Sequence, residues 1–332
     1  MVSVIIPVYN AAPFVRKAVE SAISLAEVTE VLLIEDNSPD DSLAVCQALA
    51  REYAKVKLLR HPDGGNHGAG ASRNLGIRNA RGQYIAFLDA DDWYLPNRFQ
   101  TSLPILESRP DVDGVFEAVV PEFVTEDLRQ EWLAIGLPRL HTFCGHQSGN
   151  GLLDALCASA SLQTNGFTFR SAIFKQVGRF DEDRILSAVC EDTAMWWKMA
   201  IKARVVAGNL ATPVAVHLVH PGNGCFFKKR EQIIDAHLVL WRLLWKWCKD
   251  NRISFNKRRL LLGRLVSSEL RTLKRLPKAL RLLLSIPRLT TLLMSNQRDW
   301  SLTPLEILYA YYHVSGLHGL VHHLARLAGK AQ

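Results

Sequence analysis

The densest chemistry in the chain lies between Tyr84 and Tyr94, YIAFLDADDWY. Tyr84 to Leu88 is a short apolar run with two aromatics, the pattern of a buried strand. It stops at Asp89, Asp91 and Asp92. Like charges packed at a strand end repel one another unless something positive sits among them. A divalent cation is the natural partner, because hard cations take carboxylate oxygens. Asp89 and Asp91, with Ala90 between them, could face one site. In open α/β sheets the ligand crevice lies beyond the carboxyl ends of the strands, where these residues are expected. An isolated acidic triplet is as easily a solvated loop ahead of the helix after Pro96, so its meaning depends on what else the chain brings to that edge.

Two other strand ends carry polar clusters. VSVIIPV (2–8) reads as a strand buried on both faces and ends in Pro7-Val8-Tyr9-Asn10, with Asn10 as cap of the next helix. Val31 to Ile34 ends in Glu35-Asp36, with Ser38 and Asp40 beyond. Helical spacing over 14–25 and 42–53, a strand at 56–59, a glycine-rich loop at 63–70 and a helix over 71–80 complete three strand–helix repeats before the Tyr84 strand. That rhythm predicts an α/β fold, a mostly parallel Rossmann-like sheet covered by helices. Parallel strands place all three clusters on one edge. Farther on, strands are expected at 114–120 and 214–219, and helices at 169–180 and 191–203. The residues between 121 and 190 carry no readable functional code.

VSVIIPVYN, IEDNSPDDS, GAGASRNLGI, YIAFLDADDW and CEDTAMWWKMA, in that order, resemble the family 2 glycosyltransferases, which have the GT-A fold. The resemblance covers roughly residues 1–225 and implies metal-dependent, inverting transfer of a sugar from a nucleoside diphosphate to an acceptor hydroxyl. It implies that Asp36 reads a uracil or thymine imide, with Glu35 beside it, and that Pro7, Tyr9 and Asn10 line base and ribose. Arg73 matches a basic residue near the nucleotide. Asp89 and Ala90 flank the ribose or metal side of the donor, and Asp91 is the direct ligand of Mn2+ or Mg2+. Asp92 supports them or caps the following turn. In the acidic pair Glu191-Asp192, Asp192 matches the general base that takes the acceptor's proton. His220 matches a histidine near the diphosphate, as third metal ligand or phosphate donor. The family's usual arginine two residues before it is Leu218 here, which puts the phosphate role in question. No QxxRW motif follows Asp192, so addition of one sugar, or few, is expected.

Other chemistries fit less well. The glycine loop lacks the GK[ST] of a phosphate loop and follows the third strand, not the first as a dinucleotide fingerprint would. Nucleotidyl transfer also uses paired aspartates but would need a triphosphate cradle. Against a nucleotide-sugar-binding protein with a dead site stand the intact Asp36, Asp91 and Asp192. His141, Cys144 and His146 have loose zinc-like spacing without a fourth ligand. The six cysteines contain no CxxC pair and are expected to be reduced. The start, already a strand pattern without a basic leader, predicts a cytoplasmic protein.

The net charge of +8 is uneven: residues 228–298 hold 18 basic and 4 acidic side chains, net +14, leaving −6 on the remainder. Two regions are therefore expected, a GT-A domain over 1–225 and a basic helical appendage over 226–332. Leu260, Leu261, Leu265, Leu270 and Leu273 interleave with arginines and lysines, and Trp241, Trp245 and Trp247 precede them. This suits an anionic membrane surface, with the tryptophans at the interface, better than nucleic acid. The partners expected are a nucleotide-sugar donor, a saccharide or lipid-linked saccharide acceptor, and that membrane.

Overall fold

The computed structural model describes residues 1–145, 149–183, 190–223 and 230–254, with seven further residues between 257 and 268. The chain divides into two units, Met1–Phe227 and Lys228–Gln332.

In the first unit the apolar runs form the strands β1 (Val2–Val8), β2 (Val28–Glu35), β3 (Val56–Arg60) and β4 (Tyr84–Phe87). All four are parallel, ordered β3-β2-β1-β4. Ile5 lies between Leu32 and Phe87 and Val8 lies opposite Glu35, so the carboxyl ends of β1, β2 and β4 share one edge. The helices α1 (Val15–Ile23), α2 (Ser42–Glu52) and α3 (Gly68–Asn79) follow β1, β2 and β3. Gly76 lets α3 lie close on the sheet: a Cβ there would stand 2.4 Å from the Ile5 side chain. The sheet continues through β8 (Phe167–Arg170), β6 (Gly114–Phe116) and β9 (Val205–Ala207). A second sheet has the order β5-β10-β7, made of Trp93–Tyr94, Ala215–Val219 and Val119–Phe123. The mostly parallel, helix-covered sheet expected from the sequence is therefore present.

Three local expectations fail for physical reasons. Residues 114–120 are two strands, because the chain changes sheets at Glu117-Ala118. Glu117 turns inward there to meet Arg98 at 3.4 Å, both side chains fully buried. Residues 169–180 are not one helix: Phe167–Arg170 is a strand antiparallel to β4 and β6, and helix resumes only at Ile173–Val177. Phe167 and Phe169 stack on Trp196 at 4.2 and 5.6 Å, and that packing outweighs helix propensity. Asn10 does not cap α1. It sits at φ +53°, and the helix begins four residues beyond Ala11, at Val15.

In the second unit Arg230–Asp250 is a helix. Trp241 and Trp245 on it are buried, with the guanidinium groups of Arg264 and Arg258 5.5 and 5.8 Å from their ring centroids. Leu261 and Leu265 are also buried. These four side chains are thus packed inside the protein, against the expectation that they meet lipid. Leu270 and Leu273 lie outside the described residues.

Candidate active site

The turn after β4 is pinned from two directions. Asp92 Oδ1 accepts the Leu218 amide of β10 at 2.8 Å, and its other oxygen takes a short bond from the Asn165 side-chain amide. The carbonyl end of the Asn165 side chain accepts the Asp89 amide at 2.9 Å. Asn165 is fully buried and joins both ends of the acidic turn. Burial, and next the charges of Asp91 and Asp89, hold the Asp92 carboxyl well above the usual carboxylate range. Asp92 therefore clasps β4 to β10, the supporting part expected of it.

Arg73 enters from α3. It is buried, and its two terminal nitrogens reach different carboxylates: Glu191 at 2.6 Å and Asp89 at 2.8 Å. A helix in the parallel half of the sheet is thereby tied to the β4 turn and to the Glu191–Lys202 helix. Gly70, a turn earlier, makes this approach possible, since a Cβ there would lie 2.8 Å from the Asp181 carbonyl. Burial pushes the Glu191 carboxyl up to about 7, with Arg73 opposing and Asp192 reinforcing the shift. Burial also raises Asp89, against the pull of Arg73. Arg73, which the sequence matched to a basic residue near the nucleotide, bridges the two acidic motifs.

Asp192 opens the Glu191–Lys202 helix half-buried. Thr193 holds its Oδ1 through the amide at 2.5 Å and the hydroxyl at 3.2 Å, and Thr164 donates to Oδ2 at 3.2 Å. Trp196 and Trp197, one turn on, are core residues.

His220 follows β10. Its Nε2 lies 3.1 Å from Asp91 Oδ2, and the Asn223 side chain donates to the same oxygen at 3.1 Å. Gly222 donates its amide to His220 Nδ1 at 3.1 Å. A neutral ring that accepts at Nδ1 carries its proton on Nε2. In this arrangement His220 donates its Nε2 hydrogen to Asp91. Among the described residues no group of three His, Cys, Asp or Glu side chains forms a metal cage. The donor set nonetheless suits Mg2+ or Mn2+. Such ions are commonly bound by one or two carboxylates together with substrate phosphates and water, and Asp91 and Asp89 offer the carboxylates.

At the β1–β2 edge the two neighbouring acids part company. Glu35 is register partner of Arg60 and bonds it at 2.8 Å, while its other oxygen accepts the Ser38 amide at 2.6 Å. It is fully buried and organises the loop. Asp36 points toward the glycine loop, accepting the amides of His67 at 2.8 Å and Gly68 at 2.7 Å. These are unpaired donors at the start of α3, so Asp36 caps that helix from another segment. Tyr9 and Asn10 are exposed beside it, Tyr9 at 55%, and Pro7 is half-buried. Ser38 accepts the Asn10 amide at 3.2 Å, tying the two loops together. Ala90 is buried in the core, small enough for the turn to close over it. His141 is buried, whereas Cys144 is exposed. His141 bonds Ser161 at 2.8 Å and meets His217 at 3.4 Å, while His146 lies outside the described residues.

Residues 3–162 match the model of glycosyl transferase family 2. That stretch, just under half of the chain, is similar to family 2 glycosyltransferases. Asp36, Arg73, Asp89 and Asp91 fall within the matched stretch; Thr164, Asn165, Glu191, Asp192 and His220 lie beyond it. YibD of Escherichia coli K12, an uncharacterized glycosyltransferase, is 40% identical over 112 residues, 33% of this chain and 32% of its own. RT0329 of Rickettsia typhi, also an uncharacterized glycosyltransferase, is 29% identical over 211 residues, 60% of this chain and 58% of its own. The shared part thus spans between a third and three-fifths of these two relatives. Among solved structures, Staphylococcus aureus TarS (fragment 1–349, with UDP-GlcNAc) superposes with TM-score 0.59 at 17% identity, covering 80% of this chain and 72% of that one. The mannosyltransferase PcManGT of Pyrobaculum calidifontis, with GDP-Man and Mn2+, gives 0.50 at 14% identity, covering 93% and 85%. At such identities the likeness speaks for the fold, which is that of GT-A glycosyltransferases.

Proposed function

We propose that the protein moves a sugar from a nucleoside diphosphate to an acceptor hydroxyl by single displacement, with inversion at the anomeric carbon. The observation that carries this reading is the Arg73 bridge. It brings the β4 acidic turn and the Glu191-Asp192 pair to one crevice at the carboxyl edge of the sheet. Asp192 lies on the acceptor side and takes the hydroxyl proton. The acceptor oxygen bonds to the anomeric carbon as the bond to the diphosphate oxygen breaks, and that electron pair leaves with the diphosphate. Thr164 and Thr193 fix the carboxylate of Asp192 for this task. Tyr9, Asn10 and Asp36 receive the nucleoside at the opposite end. Asp91 and Asp89 would hold a divalent cation, which when bound would supply charge stabilisation to the departing diphosphate. UDP is favoured as the nucleotide, with dTDP next; the complex of TarS with UDP-GlcNAc supports the first. The acceptor is read as a cell-surface polysaccharide, lipopolysaccharide or glycolipid precursor.

Titration of UDP into the protein tests the donor end. Binding should strengthen with Mn2+ or Mg2+, and Asp91→Ala should abolish that gain while the protein stays folded. Equal affinity in metal and in EDTA for the unaltered protein contradicts the reading.

The basic region is read as docking the enzyme on an anionic cytoplasmic membrane face. No helix among the described residues is long and apolar enough to cross a bilayer. With Trp241 and Trp245 buried, the attraction rests on charge, about 1 kcal/mol for each basic residue near the surface. Full-length protein should therefore co-sediment with phosphatidylserine vesicles at low salt and be released at about 0.5 M salt, where screening is short-ranged. Failure to sediment at low salt removes the membrane from the picture.

A further inference from the structure

Apart from the acidic crevice, the second sheet borders a concavity of about 460 Å³. It is formed by the end of β7 and the Glu126–Ala134 helix that follows, and is lined by Glu122, Phe123, Val124, Trp132, Leu133 and Arg139. We infer that it is a subsite for a neutral saccharide, the sugar of the acceptor next to the one being glycosylated. The inference rests on the glycosyl-transfer reading for the identity of the occupant.

Position comes first. β7 runs parallel to β10, with Phe123 opposite Val219, and the Val124 amide donates to the Val219 carbonyl at 3.1 Å. The next residue of that strand's chain is His220, bonded to Asp91. The concavity therefore begins about one strand spacing, ~4.8 Å, from the segment that lines the active site.

Its back wall is built. The Trp132 ring is held edge-on to Phe123 at 5.6 Å, and Nε1 donates to the Pro138 carbonyl at 2.8 Å. Behind it are His141 and His217, at 5.6 and 5.9 Å. Burial pushes the His141 ring down to about 3 and lowers His217 as well, so both are neutral at working pH and the wall carries no charge. The same histidine, His217, thus joins this wall to the strand that ends at the catalytic crevice.

The lining chemistry selects the ligand class. Arg129 is matched with Glu126 at 2.8 Å. Glu122 and Arg139 remain, both exposed and neither with a side-chain partner among the described residues. One carboxylate that accepts, one guanidinium that donates, and an apolar floor of Val124 and Leu133 suit a pyranose. Its hydroxyls both donate and accept, and its ring face is apolar. The opposed charges cancel, which disfavours a phosphate or a second nucleotide. The volume falls within the roughly 300–1,000 Å³ of small-molecule sites.

Saturation-transfer NMR on the full chain with methyl glycosides of glucose, galactose, mannose, rhamnose and N-acetylglucosamine tests this, with UDP affinity measured in parallel. At least one glycoside should receive saturation. Arg139→Ala and Glu122→Gln should each weaken it by about 10-fold or more, as loss of a hydrogen bond to a charged group does. UDP affinity and melting temperature should not move. No saturation in any glycoside, or equal binding by both variants, overturns the subsite even if UDP binds normally. Glycoside binding that depends on Arg139 in a protein that binds no nucleotide would instead keep the subsite and sink the transfer reading.

Discussion

Asp192→Asn should bind the sugar nucleotide as the unaltered enzyme does and turn over roughly 10²-fold or more slowly, the usual cost of losing a positioned base. The amide keeps the size of the carboxylate, and its oxygen can still accept the Thr193 amide, while its NH2 can only donate to the Thr164 hydroxyl, reversing that bond. What it lacks is the lone pair basic enough to take a proton from a hydroxyl. The effect should therefore fall on kcat, with the donor KM little changed. Steady-state kinetics with the true acceptor checks it, and near-normal turnover would assign the base elsewhere. Thr164→Val is the milder companion. It leaves the carboxylate intact but loosely held, and a modest loss in kcat is expected.

The second large effect is expected at Arg73. Arg73→Leu removes the only cation seen to touch both Glu191 and Asp89 among the described residues, leaving two partly buried carboxylates beside Asp91 and Asp192. Breaking a buried pair from one side costs about 3–5 kcal/mol, and the lower end applies because Asp89 keeps some solvent contact. For a domain of this size that is a fall of about 6–12 °C in melting temperature. Turnover should fall by about 10² as well, since misplacement by an ångström is enough for that. Arg73→Lys should recover part of the stability and little of the turnover, because a single ammonium cannot reach two carboxylates that the guanidinium fork spans. If the leucine variant melts and turns over normally, the bridge is not what assembles the site.

A pH dependence follows from the same pair. Glu191 is raised to about 7 in the folded protein against an ordinary 4.5. Its folded form binds the proton more tightly, so this group favours folding below about 4.5 and that contribution is lost as pH rises through 7. Activity runs the other way. Below pH 7 the protonated Glu191 no longer pairs fully with Arg73, and kcat should fall. Glu191→Gln should remove that ionisation from the acid limb of the profile.

The parallel half of the fold was readable because each strand is a near-continuous apolar run and each following helix has its own period. Once β1, β2 and β4 are parallel and in register, the convergence of Tyr9, Asp36 and Asp89 is forced, and the sequence suffices to see it. What it could not show were contacts across long separations. Thr164 and Asn165 sit in a short polar turn with no signature of its own. Their importance comes from meeting Asp192, Asp89 and Asp92, up to 76 residues away. The part played by Arg73 was hidden for the same reason, since Glu191 is 118 residues distant. The different fates of Glu35 and Asp36 were within reach. Successive residues at a strand end face opposite ways, and Arg60 on the neighbouring strand is the obvious partner for one of them. The His220 tautomer depends on the Gly222 amide, a backbone detail that residue types do not encode.

The central claim is that the acidic crevice binds a nucleoside diphosphate sugar, and ligand-dependent melting tests it most directly. The purified chain should be screened against UDP-, dTDP-, GDP- and ADP-sugars with Mn2+ and with EDTA. A donor at a hundred times its Kd stabilises by about 2.7 kcal/mol, or about 5–10 °C here. The expected result is a shift of that size for one nucleotide class, larger with Mn2+ than with EDTA and smaller in Asp91→Ala. No shift with any sugar nucleotide, at concentrations where inert controls also leave the melting temperature unchanged, would contradict it.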